Sequence, residues 1–317
     1  MVTASAPGKV ILFGEHAVVY GRPAIAVPVT QVKATATIEP ARAGRGATIL
    51  ATDLARVVRL SKASPGNPLA SIVRLTLAHL DAPEPDALIT VHSTIPIASG
   101  MGSGAAVSAS IVRALARYLG RDVDDATVSS LVYAVERLYH GTPSGIDNTV
   151  VVYQQPVYFV RGAPVRTFTV KRPFTVAVGD TGVRSPTKIA VGDVRKAWEA
   201  DRARYEALFD RIGSIVEEAR AAIEAGDVEA LGPLMDANHA LLRDIGVSSD
   251  DLDRLVAAAR RAGAKGAKLV GGGRGGHMIA LVDEARQGAV RQALLDAGAK
   301  SVMTTKVEAS SPRFESE

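Results

Sequence analysis

The sequence predicts an α+β protein built from two domains. Three observations predict it. Strand-like apolar runs dominate the first 95 residues, helical spacing dominates from Asp193 onward, and the chain closes on strand, glycine turn, strand, helix and strand. A length of 317 residues suits two domains of ordinary size. Their junction is expected between residues 160 and 175, and we set the domains at 1–168 and 169–317.

In chain order, Val10–Phe13, Ala24–Val29, Ala34–Ile38 and Ala87–Val91 read as strands, being β-branched runs separated by Gly, Pro and Asp turn signals. Gly104–Leu119 reads as a helix, with Val107, Ile111, Leu115 and Leu119 at helical spacing and Gly120 as its stop. Asp125–Tyr139 repeats that design and stops at Gly141, after which Val150–Val160 returns to strand character. Val194–Ala225, Asp227–Leu242 and Asp250–Ala262 read as helices. The closing elements are Lys268–Gly271 and His277–Val282 as strands, Glu284–Ala297 as a helix and Ser301–Val307 as a strand.

Composition removes several function classes. Hydrophobic residues at 47% and charged residues at 22% exclude a disordered chain. Aromatics at 4% disfavour a stacking platform for single-stranded nucleic acid. The absence of cysteine excludes disulfides, thiolate metal sites and a cysteine nucleophile. No apolar run is long enough for a membrane span and Met1–Lys9 lacks the order of a signal peptide, so a cytoplasmic protein without a membrane partner is expected. Net charge is +4, but the bases alternate with acids: Arg195–Arg220 also carries Glu199, Asp201, Glu206, Asp210, Glu217 and Glu218. A nucleic-acid partner is therefore not expected, whereas a mild excess of bases suits small anions such as nucleotide phosphates.

Three glycine-rich blocks stand out: Pro7–Gly21, Pro96–Ala106 and Lys268–His277. The middle block, Pro96-Ile97-Ala98-Ser99-Gly100-Met101-Gly102-Ser103-Gly104-Ala105-Ala106, runs directly into a helix. Glycines there let the backbone approach an oxyanion, and the helix start supplies free N–H groups. It is neither a Walker A loop nor a Rossmann turn, and a plain packing role stands level with phosphate binding. The first block sets Lys9, Glu15 and His16 close together. Glu136 lies near a helix end, where the dipole disfavours an acid unless it has a partner such as a metal ion. Asp147 follows after the turn-rich stretch His140-Gly141-Thr142-Pro143-Ser144-Gly145. One acid to hold a metal and one to accept a proton are the parts phosphoryl transfer needs, although Asp147 also reads as an ordinary turn aspartate.

The order Pro7-Gly8-Lys9, Gly14-Glu15-His16-Ala17-Val18-Val19-Tyr20-Gly21, Gly100-Met101-Gly102-Ser103, Glu136 to Asp147 and a late glycine block resembles the GHMP small-molecule kinases. Within them it resembles the mevalonate kinase branch, over residues 7 to 282. The resemblance implies a GHMP kinase fold, with an N-terminal domain like ribosomal protein S5 domain 2 and a ferredoxin-like C-terminal domain. It implies ATP-dependent phosphorylation of mevalonate at its 5-hydroxyl, in the route to isoprenoids, with Mg2+ as cofactor. Asp147 would accept the hydroxyl proton, and Lys9 beside it would stabilise charge on the transferred group. Ser103 and Glu136 would hold magnesium, and Pro96 to Ala106 would cradle the phosphates. Glu15, His16, Ser144 and Thr187 would join Lys9 and Asp147 in placing mevalonate. The partners implied are small molecules, with a homodimer and a monomer both open.

Two departures carry weight. Where the family has two adjacent serines, this chain has Ser103 and then Gly104. In the late block Arg274 and His277 replace a glycine and a cysteine, and Arg274 is expected either to clamp a phosphate or to face solvent. Phosphomevalonate kinase and mevalonate 3-kinase are the alternative activities. A binding-only relative is disfavoured because Lys9, Glu136 and Asp147 are all present.

Overall fold

A computed structural model describes residues 1–96, 100–140, 143–164 and 166–308. In the first half, β1 (Val2–Phe13) pairs antiparallel with β2 (Ala24–Pro40), a single strand where the sequence predicted two. The interruption is a bulge: the register jumps from Pro7 opposite Lys33 to Gly8 opposite Val29. A Cβ on Gly8 would lie 3.0 Å from Val32, so glycine lets the bulged residues fold back over β1. β3 (Thr48–Ala51) and β4 (Arg56–Arg59) precede α1 (Pro68–His79), none of which the sequence reading singled out, and β5 (Ala87–Ser93) follows. Helix α1 starts on Pro68 and is capped by Asn67, whose side chain accepts from the Ala70 N–H at 3.1 Å.

Helix α2 (Ser103–Tyr118) lies across β1 and β2, and its buried Ala105, Ala106, Ala109 and Ala114 permit that close approach. α3 (Asp125–His140) and α4 (Ile146–Tyr153) pack beside it, and β6 (Val157–Phe159) and β7 (Arg166–Thr167) complete the sheet, ordered β4-β3-β5-β2-β6-β7 with β1 also on β2. The strand expected over Val150–Val160 is thus half helix. Its β-branched run is overridden because Gly145, at φ +94°, turns the chain into α4, whose Val150, Val151 and Val152 are buried.

The second sheet is ferredoxin-like. β8 (Phe174–Asp180) is followed by α5 (Thr187–Ala200), α6 (Arg202–Ala225), α7 (Val228–Asp244) and α8 (Asp250–Arg261). Then come β9 (Gly266–Leu269), β10 (His277–Val282), α9 (Glu284–Asp296) and β11 (Ser301–Val307), giving an antiparallel sheet ordered β11-β8-β10-β9. The helix expected over Val194–Ala225 is broken at Asp201, which leaves helical geometry and caps α6 through the Arg204 N–H at 3.3 Å. Gly232 and Gly266 let α7 lie directly on β9, since a Cβ on Gly266 would fall 2.1 Å from the Gly232 carbonyl oxygen. A continuous apolar core joins the two sheets, running from Val10 and Phe13 to Phe209, Met278 and Ile279. Among the described residues no helix is long and apolar enough to cross a membrane.

Candidate active site

Lys9 sits in β1 with its N–H donated to the Met101 carbonyl at 3.0 Å, which joins the strand to the head of α2. Its stem crosses Gly102, where a Cβ would lie 3.0 Å from Lys9 Cγ; Gly102 also has φ +72°, so only glycine serves there. The buried ammonium reaches Asp147 Oδ1 at 2.7 Å. Asp147 is the second residue of α4, where free N–H groups favour negative charge. It is not the turn aspartate that the sequence equally allowed. Ser144 accepts from the Ile146 N–H at 3.3 Å and so helps start the same helix.

Asn148 donates to Ser129 Oγ at 2.8 Å, locking α4 to α3 and thereby Asp147 to the helix that carries Glu136. Burial, with the Asp147 charge adding to it and Lys9 opposing, pushes the Glu136 carboxyl up to about 7. Glu136 Oε1 lies 3.1 Å from where a Cβ on Gly104 would be. Gly104 therefore lets this carboxylate come close to the first turn of α2, beside Ser103. The structure gives the missing serine a steric meaning.

The opposite wall begins where β1 ends. Gly14 has φ +100°, and a Cβ there would fall 2.5 Å from the Pro23 carbonyl oxygen. His16 follows with φ +59°, an uncommon conformation for a non-glycine residue. Its Nε2–H donates to the Gly272 carbonyl at 3.1 Å, and burial lowers its pKa to about 4, so the ring is neutral near pH 7. Gly272 packs on Thr187, the first residue of α5, with a Cβ there 3.0 Å from Thr187 Oγ1. Thr187 thus stands at a helix start. Glu15 is sealed from solvent and ion-paired with Lys268 of β9. In this conformation its carboxylate is closed to direct contact with a ligand.

Of the phosphate block, Pro96 and Gly100 to Ala106 fall among the described residues, whereas Ile97, Ala98 and Ser99 lie outside them. Gly100 and Gly102 both have positive φ, and Gly271 of the late block comes within 3.9 Å of Gly100, measured from its ideal Cβ position. The first and last glycine loops flank this helix start. Arg274 is partly exposed, and its guanidinium binds Asp193 of α5 at 2.5 Å and the Gly246 carbonyl at 3.4 Å. His277 is buried on β10, 4.0 Å from Asp180. A cavity of about 390 Å³ at the far end of α2, lined in part by Lys33, Arg113 and Arg121, contains none of these site residues.

Lys268 and Asp193 were given no role from sequence. Lys268 had a readable signal, because a lysine inside the apolar run Ala267–Val270 needs an opposite charge if buried. Asp193 had none, since it looks like any acid on an exposed helix.

The chain matches the family model for the GHMP kinases N terminal domain over residues 67–155 and that for the GHMP kinases C terminal over residues 219–300. It is 36% identical to the mevalonate kinase of Thermococcus sibiricus over 96% of this chain and 95% of that one. It is also 36% identical to the mevalonate kinase of Pyrococcus horikoshii, with the same coverage. Among solved structures, L. major mevalonate kinase in complex with R-mevalonate superposes with a TM-score of 0.84 at 29% identity, covering 98% of this chain and 97% of the other. Streptococcus pneumoniae phosphomevalonate kinase has a TM-score of 0.82 at only 16% identity, over 97% of this chain and all of that chain (100%), a likeness of fold alone.

Proposed function

The chain belongs to the GHMP kinases, and from that premise we infer that it phosphorylates mevalonate with ATP at the 5-hydroxyl, yielding 5-phosphomevalonate. The observation that carries the reading is the Lys9–Asp147 pair, 2.7 Å apart, beside Glu136 and the glycine-flanked start of α2. The curated relatives of 36% identity over nearly the whole chain support mevalonate over other acceptors.

Asp147 accepts the proton of the attacking hydroxyl, and its partly open position suits contact with a substrate. Lys9 holds that carboxylate in place and stabilises charge developing on the transferred phosphoryl group. Backbone N–H groups of Gly100 to Ala106, with Pro96 to Ser99 leading in, cradle the nucleotide phosphates. His16, Ser144 and Thr187 bound the acceptor site, with Glu15 behind His16. The site lies between an N-terminal domain of residues 1–168 and a C-terminal domain of residues 169–317 in a cytoplasmic enzyme.

Magnesium fits the residues present. One carboxylate, Glu136, beside one hydroxyl, Ser103, is a hard-oxygen set that leaves most of the coordination sphere to phosphates and water, which is how Mg2+ is usually held. Among the described residues no group of three acids or histidines forms a dedicated metal cage. When bound, the ion would neutralise charge on the nucleotide phosphates.

A steady-state assay with ATP and Mg2+ against mevalonate, phosphomevalonate, galactose and homoserine tests the reading, with phosphorus NMR of the product. Turnover of phosphomevalonate alone, or phosphate on the 3-oxygen, would overturn it in favour of phosphomevalonate kinase or mevalonate 3-kinase.

A further inference from the structure

The Lys268–Glu15 pair is unusual in being 0% exposed on both side chains. Lys268 comes from β9 of the second sheet and Glu15 from the turn that ends β1 of the first. Lys268 also donates to the Leu269 carbonyl at 2.8 Å. Its strand is pinned from behind, where Leu269 N–H donates to His239 Nδ1 of α7 at 3.3 Å and the Gly232–Gly266 contact seats α7 on β9. Burial pushes the Glu15 carboxyl up and the Lys268 ammonium down, each opposed chiefly by the other's charge.

Stability alone is a poor reason for such a pair. Removing two charges from water offsets much of their attraction, and well-packed apolar residues of similar volume often stabilise a fold as well or better. What this pair does that an apolar pair cannot is fix one orientation across the two sheets. Glu15 immediately precedes His16, which sits at φ +59° and ψ −49° in a tight turn closed by the Ala17 N–H on the Glu15 carbonyl at 2.7 Å, a sparsely populated backbone that needs external restraint, and His16 meets Gly272, four residues beyond Lys268, on the wall that Thr187 closes.

We propose that Lys268 is a positioning residue for the phosphoryl acceptor: by pairing with Glu15 it holds the His16 turn against the Gly272–Thr187 wall, and so sets the acceptor side of the site. The proposal rests on the acceptor reading given above.

Three variants test it: Lys268→Met, Glu15→Met, and the two together. Lys268→Met should raise the KM for mevalonate at least tenfold while the KM for ATP stays within about twofold. The double variant restores a neutral, volume-matched core, so its melting temperature should recover to near the wild-type value while the mevalonate KM stays high. It also carries the test should Lys268→Met fail to fold. A double variant with wild-type KM for mevalonate would overturn the proposal and make the pair a packing device. Equal rises in both KM values in Lys268→Met would overturn it as well. If wild-type enzyme ignores mevalonate but phosphorylates another alcohol, the functional reading fails, and the same variants measured with that alcohol still decide the role of Lys268.

Discussion

Two lysine–carboxylate pairs lie close enough for Lys9 to influence Glu15, and they differ in almost every respect. Lys9 and Asp147 both belong to the first sheet and its helices, and the Asp147 side chain is 34% exposed. Lys268 and Glu15 come from different sheets and are sealed. A carboxylate that takes a proton must be reachable, whereas one that fixes geometry gains from exclusion of water, which would otherwise screen and loosen the pair. The open pair should therefore govern the rate, and the sealed pair should govern binding geometry and stability.

The largest effect expected lies on the open side. Asp147→Asn keeps shape and hydrogen bonding but removes the proton acceptor, so kcat should fall by about a thousandfold or more with little change in nucleotide affinity. Stopped assays with a nucleotide-binding titration check both. A loss of nucleotide binding equal to the loss of kcat would erase the distinction between the pairs.

The sealed side should instead show itself in stability against pH. The pKa of His16 is about 4 in the fold against an ordinary 6.5. Above pH 6.5 both states are neutral and the full stability is present. Below it, the unfolded chain takes up a proton that the folded chain refuses, so stability falls as the pH drops towards 4. The shift corresponds to about 2 kcal/mol lost between pH 7 and pH 5. Urea unfolding at the two pH values, with His16→Asn as the control, measures it; the loss in that variant over this interval should be smaller by about that amount.

How much of this could be read from the sequence differs between the two pairs for a physical reason. Lys9 and Asp147 stood out beside glycines and turn residues, and Glu136 as an acid near a helix end, and such marks are local. The relation of Lys268 to Glu15 is a contact between positions 253 residues apart. Only the packing of β9 against the end of β1 creates it. The same holds for the fold. Strand β10, helix α9 and strand β11 appeared almost as predicted because their periodicity is uninterrupted. Val150–Tyr153 was misread because β-branched residues favour strands, yet Gly145 and packing against α3 impose a helix. Helix α1 was passed over although Asn67-Pro68 is a good start signal, hidden among the strand-like runs of the first 95 residues.

A smaller effect is expected where the open pair meets the phosphate loop. The carboxyl of Glu136 is pushed up to about 7, so if it holds Mg2+ as proposed, protons should compete with the ion near neutrality. Raising the pH from 6 to 8 should lower the Mg2+ concentration needed for half-maximal rate by about tenfold. In Glu136→Gln that dependence should be nearly flat and the requirement for Mg2+ higher throughout. Activity titrated with Mg2+ at fixed ATP separates the outcomes, and an unchanged pH dependence in Glu136→Gln would remove Glu136 from the metal.

The smallest effect concerns Arg274, the cation that the sequence reading offered to a phosphate. Its guanidinium is held by Asp193, and this pair, with side chains 36% and 41% exposed, is screened by solvent and contributes little to stability. Arg274 also adopts φ +58°, a left-handed conformation that costs a non-glycine residue ~1–2 kcal/mol and glycine almost nothing. In Arg274→Gly the lost ion pair and the relieved strain therefore act in opposite directions, and the stability should stay within ~1 kcal/mol of wild type. The KM for ATP should change by less than about twofold, because the side chain already has an anionic partner within the protein. One small consequence should still be visible. Arg274 opposes protonation of His16, so its removal should raise the His16 pKa slightly above 4, detectable by NMR titration of the imidazole. A tenfold rise in the KM for ATP would mean that Arg274 leaves Asp193 for a phosphate when nucleotide binds, and would place the late glycine loop on the open side of the site.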